Sequence, residues 1–371
     1  MRVAIVTSEF YPRIGGIETY TRILISELVK HYKVGIVTGI DQSIMDTNTE
    51  HIGKLNLSKT KDAGEFNIVA QQLRSILSAY QPDIIHLISA GLVVYAKFIH
   101  DILPIIVTIH CKDYTQPWQK YHDGNVNEAI NFGLSLCKKI ICVSNYTKSF
   151  VANSYGTENV TVIHNGIAIP SKKRLHQKKK AHILTVARLI PRKGHIHLAN
   201  ALRHVQNHCQ WDIVGEGYYE NIIKEIVDDL PVNISVNFHG KVSPRTLESL
   251  FKNASIFAMT PIELRTNDGI DAEGFGLVYL EAASYYLPVI ASKDSAADEI
   301  IDNGKSGFLV DPFNYSNTGA IIDDLITNRS KMSKMGYCAF HRIARKFTQA
   351  KSTSQLFEIY NDCSIQSGGS P

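Results

Sequence analysis

Short runs of consecutive apolar residues recur along the chain and alternate with segments of helical periodicity. In the first half these runs lie at Val3–Val6, Val34–Val37, Ile84–Leu87, Ile105–Ile109, Ile140–Val143 and Val160–Ile163. In the second half they lie at His182–Val186, Trp211–Val214, Val236–His239, Ile256–Met259, Val289–Ala291 and Phe308–Val310. Continuous apolar runs are typical of strands buried on both faces. Their alternation with helical stretches such as Glu18–Lys30 and Glu128–Cys137 predicts α/β architecture with parallel sheets and crossover helices.

The length of 371 residues exceeds what one hydrophobic core usually serves, so we expect two domains. Residues 1–170 and residues 181–345 are each predicted to form a Rossmann-like, doubly wound domain, joined by residues 171–180. The helical stretch at about residues 346–365 can pack back on the first domain. Because ligands of such sheets bind beyond the carboxyl ends of the strands, the two domains are expected to face a central ligand-binding cleft.

The composition is that of a globular protein, with 44% hydrophobic and 20% charged residues. No run of about 18 apolar residues is present, so no transmembrane helix is predicted. The first apolar run is too short for a secretory signal and ends at Thr7–Glu9, which favours a cytoplasmic protein. The six cysteines have no metal-binding spacing and are expected to be small buried apolar residues.

Residues 171–180 contain six basic residues and no acidic one, so the net charge of +4 belongs to this segment. A basic block of this kind is usually a solvated linker. Contact with anionic lipid is the alternative, and it would make the protein peripheral at the inner face of the plasma membrane. No aromatic platform or reading motif accompanies the cluster, so nucleic acid is not an expected partner.

Two glutamates eight positions apart, Glu273 and Glu281, enclose a glycine-containing segment that precedes a helical pattern. Glycines let a backbone approach a ligand closely, and the free N–H groups at a helix start attract phosphate. Gly276, Leu277 and Val278 could therefore offer N–H groups to a diphosphate. Glu281 could accept hydrogen bonds from a ribose diol, and Glu273 from a sugar ring. The alternative is a helix-start glutamate favoured by the macrodipole, together with an ordinary surface glutamate.

This stretch resembles the E-x7-E motif of glycosyltransferase family 4, whose members have the GT-B fold and retain the anomeric configuration of the transferred sugar. Other segments resemble the family in the same order along most of the chain. They are Ile14–Thr19, Val107–Asp113, His164–Ile167, Val186–Gly194, Val214–Gly217, Phe238–Val242 and Ser306–Val310. The order and spacing make the resemblance specific, since each segment alone would be weak evidence.

The resemblance implies roles for individual residues. Arg188 and Lys193 would neutralise the donor diphosphate, Arg as a planar fork and Lys as a point charge. His110 would hydrogen-bond the transferred sugar or steady its developing positive charge, although a lone histidine at a strand end is more often structural. Further residues that the resemblance assigns to substrate binding are Gly15, Gly16, Lys241, Val242, Gly274 and Phe275. The resemblance implies no metal and no cofactor.

Two departures from the family pattern lie in loops that we expect to border the cleft. Tyr286 stands where the family usually has glycine, and Ser295–Ala297 replaces a usual Gly-Gly turn. We therefore expect an unusual donor-sugar pocket.

Paired histidines also resemble metal sites, but they lack partners in the sequence. His195 and His197 form one pair, and His204 and His208 form another, each without nearby carboxylates or cysteines. We expect them to lie on solvated helix faces. The first loop lacks GxGxxG, which argues against a dinucleotide-dependent dehydrogenase.

The expected function is therefore that of a retaining, metal-independent glycosyltransferase. Its donor is expected to be a UDP-sugar, with GDP-mannose as the second choice. The expected acceptor is a saccharide or lipid-linked saccharide in polysaccharide or glycolipid biosynthesis. The alternatives are a nucleotide-sugar epimerase of the same fold and a non-catalytic sugar-nucleotide-binding protein.

Overall fold

The structure is a computed structural model that describes residues 1–10, 15–39, 49–57, 63–116, 126–169, 181–267 and 269–365. The chain forms two compact units. Unit 1 consists of Met1–Asn165, Arg265–Phe275 and the segment from Gln349 onward. Unit 2 consists of Gly166–Leu264 and Gly276–Thr348. The predicted linker at residues 171–180 lies outside the described residues.

Strands and helices alternate in the first 165 residues. The strands are β1 (Arg2–Val6), β2 (Lys33–Thr38), β3 (Thr49–Lys54), β4 (Ile84–Leu87), β5 (Ile105–Ile109), β6 (Lys139–Cys142) and β7 (Val160–Val162). The helices are α1 (Gly16–Leu28), α2 (Ala63–Tyr80), α3 (Ala96–Ile99), α4 (Lys112–Thr115), α5 (Val126–Ser135) and α6 (Asn145–Ser154). Within the described residues these strands form one parallel sheet in the order β3-β2-β1-β4-β5-β6-β7. The order reverses between β1 and β4, which is the place where ligands of doubly wound sheets bind.

Elements of the second half follow the same scheme. The strands are β8 (Ala181–Val186), β9 (Cys209–Val214), β10 (Ile234–Gly240), β11 (Ile256–Met259), β12 (Leu264–Thr266), β13 (Gly269–Asp271), β14 (Val289–Ser292) and β15 (Gly307–Val310). The helices are α7 (His195–Leu202), α8 (Glu220–Asp228), α9 (Pro244–Asn253), α10 (Leu277–Ser284), α11 (Ala297–Ile300), α12 (Tyr315–Thr327), α13 (Arg329–Lys346) and α14 (Gln349–Ile365). The described strands of unit 2 form a parallel sheet in the order β10-β9-β8-β11-β14-β15.

Both faces of the unit 1 sheet are covered, as the continuous apolar runs predict. Along β1, Val3 and Ile5 belong to one apolar cluster, and Ala4 and Val6 belong to another. The first cluster includes residues of α1 and α14, and the second includes residues of α2. The C-terminal helix α14 therefore completes the core of unit 1.

A segment from the second half of the sequence packs within unit 1. The short hairpin β12–β13 is fixed on α4, where Lys112 Nζ lies 2.8 Å from Asp271 Oδ2. The Thr115 hydroxyl donates to the Ile270 carbonyl at 2.6 Å. Gly269 has a positive φ of 119°, and a Cβ there would lie 2.1 Å from the Thr115 carbonyl oxygen. The sequence patterns did not predict this hairpin.

The structure confirms the predicted fold class, and each of the twelve predicted strands corresponds to an observed one. The strand β3 was missed because its sequence Thr49–Lys54 is mostly polar and lies at the edge of the sheet. Five of the six cysteines are buried and Cys338 is half-buried, consistent with the expected apolar role. None of the described helices combines the length and the apolar character needed to span a bilayer.

Tyr286 lies at a different edge of the sheet from the one we expected. It precedes β14, so it lies at the amino end of this strand, whereas ligands bind at the carboxyl ends. Its φ of 59° lies in the left-handed region, which favours glycine at this position. The Tyr286 ring is stacked on Phe340 of α13 with centroids 4.1 Å apart. The expectation that this residue borders the ligand site of unit 2 is therefore wrong.

The two contributions at Tyr286 can be separated by substitution. Tyr286→Ala removes the stacked ring but keeps a residue with Cβ in the left-handed region, whereas Tyr286→Gly removes both. Since left-handed backbone costs about 1–2 kcal/mol for a residue with Cβ, we expect the glycine variant to be more stable than the alanine variant by about 1 kcal/mol. Urea unfolding of both variants measures this difference, and an alanine variant of equal or greater stability would contradict it.

Candidate functional site

His110 follows β5 directly and has an unusual hydrogen-bonding arrangement. Its ring is hydrogen-bonded to the Ile88 backbone carbonyl, whereas Nε2 is buried and has no hydrogen-bond partner among the described residues. Burial lowers the pKa of His110 to about 3, so the imidazole is neutral. The nitrogen that bonds the carbonyl must carry the proton, which leaves Nε2 as a hydrogen-bond acceptor. This atom is suited to accept a hydrogen bond from a ligand hydroxyl.

Asp113 holds the turn that follows His110. Its Oδ1 accepts the His110 backbone N–H, and its Oδ2 accepts the Ala90 backbone N–H, both at 2.8 Å. Between them, Cys111 has a φ of 88°, a conformation that costs about 1–3 kcal/mol in a residue with a side chain. Burial, assisted by the charge of Glu9, raises the pKa of Asp113 to about 7 despite these hydrogen bonds. Sequence analysis gave Asp113 no role, although an aspartate three residues after a strand-end histidine is a usable signal for such a turn.

Glu273 and Gly274 lie against this turn. A Cβ on Gly274 would be 2.2 Å from the His110 carbonyl oxygen and 2.7 Å from Cys111 Cβ, so only glycine fits. The Ser144 hydroxyl donates to the Gly274 carbonyl at 2.7 Å. Unit 1 therefore brings the Glu273 segment and His110 together, although they are far apart in sequence.

The other predicted site residues of unit 1 differ in how far their side chains and backbone are exposed. Phe275 is 3% exposed and its ring centroid lies 5.9 Å from that of His164, so its side chain serves packing. We therefore expect no contact between the Phe275 side chain and a ligand. Gly15 and Gly16 begin α1, and a Cβ on Gly16 would meet no atom of the described residues within 4 Å. The Gly16 backbone is therefore open to close approach, whereas the Glu18 carboxylate folds over Gly15.

Arg188 and Lys193 follow β8 at the carboxyl edge of the unit 2 sheet. Arg188 is exposed and Lys193 is half-buried. Next to Lys193, Gly194 has a φ of 75°, and a Cβ there would lie 1.8 Å from the Thr260 carbonyl oxygen. Because β8 and β11 are neighbours in the sheet, this contact brings Lys193 beside the carboxyl end of β11.

The first turn of α10 lies at the same strand end. Its N-cap residue is Gly276, which has a φ of 87° and no side chain with which to cap the helix. The Tyr279 hydroxyl donates to the Met259 carbonyl at 3.3 Å, which ties the helix start to the end of β11. Leu277, Val278 and Glu281 are half-buried. Unit 2 thus brings the lysine and the predicted phosphate-binding helix start to one strand end.

Lys241 and Val242 lie farther along the same edge, after the outermost strand β10. The Gly215 N–H donates to the Gly240 carbonyl at 2.9 Å, which joins this end of β10 to the loop after β9. Since β10 is two strands from β8, these residues lie about 10 Å from the Arg188 strand. That distance is compatible with contact to a nucleoside rather than to its phosphates.

The predicted solvation of the histidine pairs is correct only in part. His204 and His208 are exposed, but His195 is 2% exposed, because α7 packs it into unit 2. Burial and the nearby charge of Lys193 lower the pKa of His195 to about 3. His197 is half-buried, and its Nδ1 lies 3.1 Å from the Tyr315 hydroxyl. The described residues contain no His, Cys, Asp and Glu cluster that could hold a metal ion.

Two family profiles match consecutive parts of the chain. The profile described as "Glycosyltransferase Family 4" matches residues 14–169. The profile described as "Glycosyl transferases group 1" matches residues 168–342. Together they span both sets of site residues.

Individual proteins agree with these matches. A GDP-mannose-dependent alpha-(1-6)-phosphatidylinositol monomannoside mannosyltransferase of Mycobacterium tuberculosis is 29% identical over 52% of this chain and 54% of that protein. The chain thus spans about half the length of such curated relatives. An uncharacterized glycosyltransferase of Methanocaldococcus jannaschii is 24% identical over 88% of this chain and 90% of that protein. Anabaena HepE in complex with UDP and glucose has the same fold, with a TM-score of 0.79, 18% identity and coverage of 98% and 100%.

Asp113→Asn tests the turn at His110. The pKa of Asp113 rises from 3.8 to about 7 on folding, so between these values the folded protein holds a proton that the unfolded chain releases. Asp113 therefore makes the free energy of unfolding fall as the pH rises from 3.8 to about 7. We expect the stability advantage of the parent over Asp113→Asn to shrink across this interval and to level off above it, as measured by urea unfolding.

The comparison of the two proteins isolates this residue. The buried His110 titrates in both, so its opposite pH dependence largely cancels in the difference. A difference that does not change with pH would show that Asp113 is not held in the protonated form on folding.

Proposed function

The chain belongs to glycosyltransferase family 4, with the GT-B fold, and we propose on this premise that it transfers a sugar from a nucleoside-diphosphate sugar to a saccharide or lipid-linked saccharide acceptor. The observation that carries the proposal is the arrangement at the carboxyl edge of the unit 2 sheet. There Lys193 and the first turn of α10, whose N-cap residue is Gly276, lie at the end of β11, and Arg188 follows the neighbouring strand β8.

This arrangement suits a departing diphosphate. Cleavage of the sugar–phosphate bond builds negative charge on the leaving group, and groups fixed where that charge develops lower the barrier. Arg188 and Lys193 supply positive charge, and the N–H groups of Leu277 and Val278 in the first turn of α10 supply oriented donors. Glu281, on the second turn of the same helix, would accept hydrogen bonds from the ribose.

Unit 1 would bind the transferred sugar. His110 offers an Nε2 acceptor that has no partner among the described residues, and the Glu273 segment is packed on the turn beside it. A histidine with a pKa of about 3 is a poor proton acceptor at neutral pH. His110 is therefore assigned a hydrogen bond to a sugar hydroxyl rather than the role of general base. Gly16 would bring its open backbone to the donor phosphate.

We propose that the reaction retains the anomeric configuration and needs no metal ion. The first part rests on the family resemblance, with a donor phosphate oxygen helping to take the acceptor proton on the same face. The second part rests on Arg188 and Lys193, whose charges do the work that a divalent cation does in other transferases. The anomeric proton coupling of the product, read by NMR, distinguishes retention from inversion.

The two donor candidates have different support. Relatives in sequence include GDP-mannose-dependent enzymes at 29% identity, whereas the structural neighbour bound to UDP is 18% identical. The higher sequence identity gives the GDP-mannose-dependent relatives more weight than the UDP-bound neighbour. GDP-mannose is therefore at least as strong a donor candidate as the UDP-sugar expected from family frequency. Lys241 and Val242, at the end of β10, are the residues proposed to lie near the base.

Removal of a charged side chain that we assign to the donor phosphate or to its ribose should abolish most activity. We expect Lys193→Ala and Glu281→Ala each to lower the turnover of nucleotide sugar by at least about a hundredfold, the scale of losing one charge-stabilising group. The assay contains EDTA, so turnover by the parent protein also tests metal independence. Matched controls are Lys305→Ala and Glu225→Ala, because both side chains are exposed and lie outside the site. Near-normal turnover in both site variants would refute the assignment.

A thermal-shift screen should identify the base. A ligand at a hundred times its dissociation constant stabilises the folded state by about 2.7 kcal/mol, which is a clear shift in Tm. We expect GDP or UDP, but not both equally, to raise the Tm of the parent protein and to do so less for Lys193→Ala. If no nucleoside diphosphate or sugar nucleotide raises the Tm, a nucleotide-sugar transferase or binding protein is excluded. Conversion of donor without acceptor into its epimer would instead support the epimerase.

A further inference from the structure

A chain of hydrogen-bonded side chains runs through the apolar interior of unit 1 and ends beside His110. The Tyr360 hydroxyl on α14 lies 2.6 Å from His86 Nδ1, and His86 Nε2 lies 2.8 Å from Thr108 Oγ1. Thr108 Oγ1 is hydrogen-bonded in turn to the Tyr20 hydroxyl on α1 at 3.2 Å. These contacts connect the C-terminal helix to the helix that begins at Gly16.

The surroundings make each link costly to break. His86, Thr108 and Tyr360 are 0% exposed. Burial lowers the pKa of His86 to about 3 and raises that of Tyr20 to about 12, so the imidazole is neutral and the phenol keeps its proton. A neutral imidazole has one N–H, so His86 donates to one of its two hydroxyl neighbours and accepts from the other. Loss of one hydroxyl leaves a buried partner unpaired.

Tyr20 joins this chain to the ring of His110. The two ring centroids are 4.7 Å apart with an interplanar angle of 72°, an edge-to-face contact. Thr108, which binds the Tyr20 hydroxyl, is two residues before His110, and Tyr20 contacts both side chains. The His110 ring is held by Tyr20 and by the Ile88 carbonyl, and these contacts fix the direction of its free Nε2.

We infer that Tyr20 is a positioning residue for His110, and that Tyr360 holds Tyr20 in place from the C-terminal helix through His86 and Thr108. The inference rests on the proposed function, in which His110 Nε2 accepts a hydrogen bond from a hydroxyl of the donor sugar. It assigns α14 a part in sugar binding in addition to its part in the core.

A kinetic experiment tests the coupling. Hydrolysis of the nucleotide sugar identified by the thermal-shift screen is measured for Tyr20→Phe, Tyr20→Leu, Tyr360→Phe, His110→Ala and the double variant Tyr20→Leu/His110→Ala. We expect kcat to fall about threefold to tenfold in both Phe variants and further in Tyr20→Leu. The double variant should be no slower than His110→Ala alone, because a residue that acts through His110 has nothing left to position. The dissociation constant of the nucleoside diphosphate should not change.

The matched control is Tyr32→Phe. Tyr32 packs on Phe357 in the same apolar cluster, with ring centroids 4.9 Å apart. Its hydroxyl is not part of the hydrogen-bonded series from Tyr360 to Tyr20. This variant should keep the parent kcat. Losses in Tyr20→Leu and His110→Ala that simply multiply in the double variant would overturn the inference.

A measurement that needs no substrate tests the position of the His110 ring independently of enzyme activity. Long-range ¹H–¹⁵N correlation spectra of histidine-labelled protein report the tautomer and charge of each imidazole. His110, assigned by its absence in His110→Ala, should stay in one neutral tautomer between about pH 5 and pH 8 in the parent. In folded Tyr20→Leu it should show mixed tautomers or begin to titrate, and an unchanged signal there would also overturn the inference.

The two proposals fail in different ways. If the parent protein neither binds nor turns over any sugar nucleotide, the proposed function fails, and the NMR measurement still decides whether Tyr20 fixes the ring. If the parent is active but the Tyr20 and Tyr360 variants behave like Tyr32→Phe, the positioning role fails and the proposed function stands.

Discussion

The close backbone contact between Gly274 and the His110 turn is the constraint on which the unit 1 site depends. At this contact no Cβ fits, and Ser144 holds the Gly274 carbonyl from the other side. The turn itself is strained at Cys111 and is kept in place by the two hydrogen bonds to Asp113. A segment from the second half of the sequence thereby becomes part of unit 1 and carries Glu273 to the end of β5. Without this contact, nothing in the sequence would place Glu273 beside His110.

In unit 2, glycines likewise allow close backbone contacts, here at the predicted phosphate site. Gly194 in the left-handed region lets the Lys193 turn approach the end of β11, and Gly276 in the same region is the N-cap residue of α10. Lys193 and the first turn of α10 thus meet at the end of β11, where positive charge and the N–H groups of a helix start suit an anionic ligand. The sheet provides the frame, since parallel strands present all their carboxyl ends at one edge.

Buried polar groups fix the orientation of side chains within unit 1. Apolar packing alone fixes ring positions loosely, whereas a neutral histidine between two hydroxyls permits few arrangements. The chain from Tyr360 to Tyr20 crosses a cluster that is otherwise apolar, which makes it expensive unless every donor has an acceptor. Such a network is expected where a side chain must point in one direction. The free Nε2 of His110 is the group that benefits.

The sequence by itself determined the two parallel sheets, their strands and the family, because continuous apolar runs and motif order depend on local patterns. It also placed His110 after β5 and Lys193 after β8, because both residues follow apolar runs that form strands. Only the tertiary structure decided that residues 265–275 pack with unit 1, that Tyr286 lies at the opposite edge, and that His195 is buried. Only it revealed the roles of Asp113 and Tyr20. These features arise from contacts between residues distant in the chain, and periodicity carries no information about such contacts.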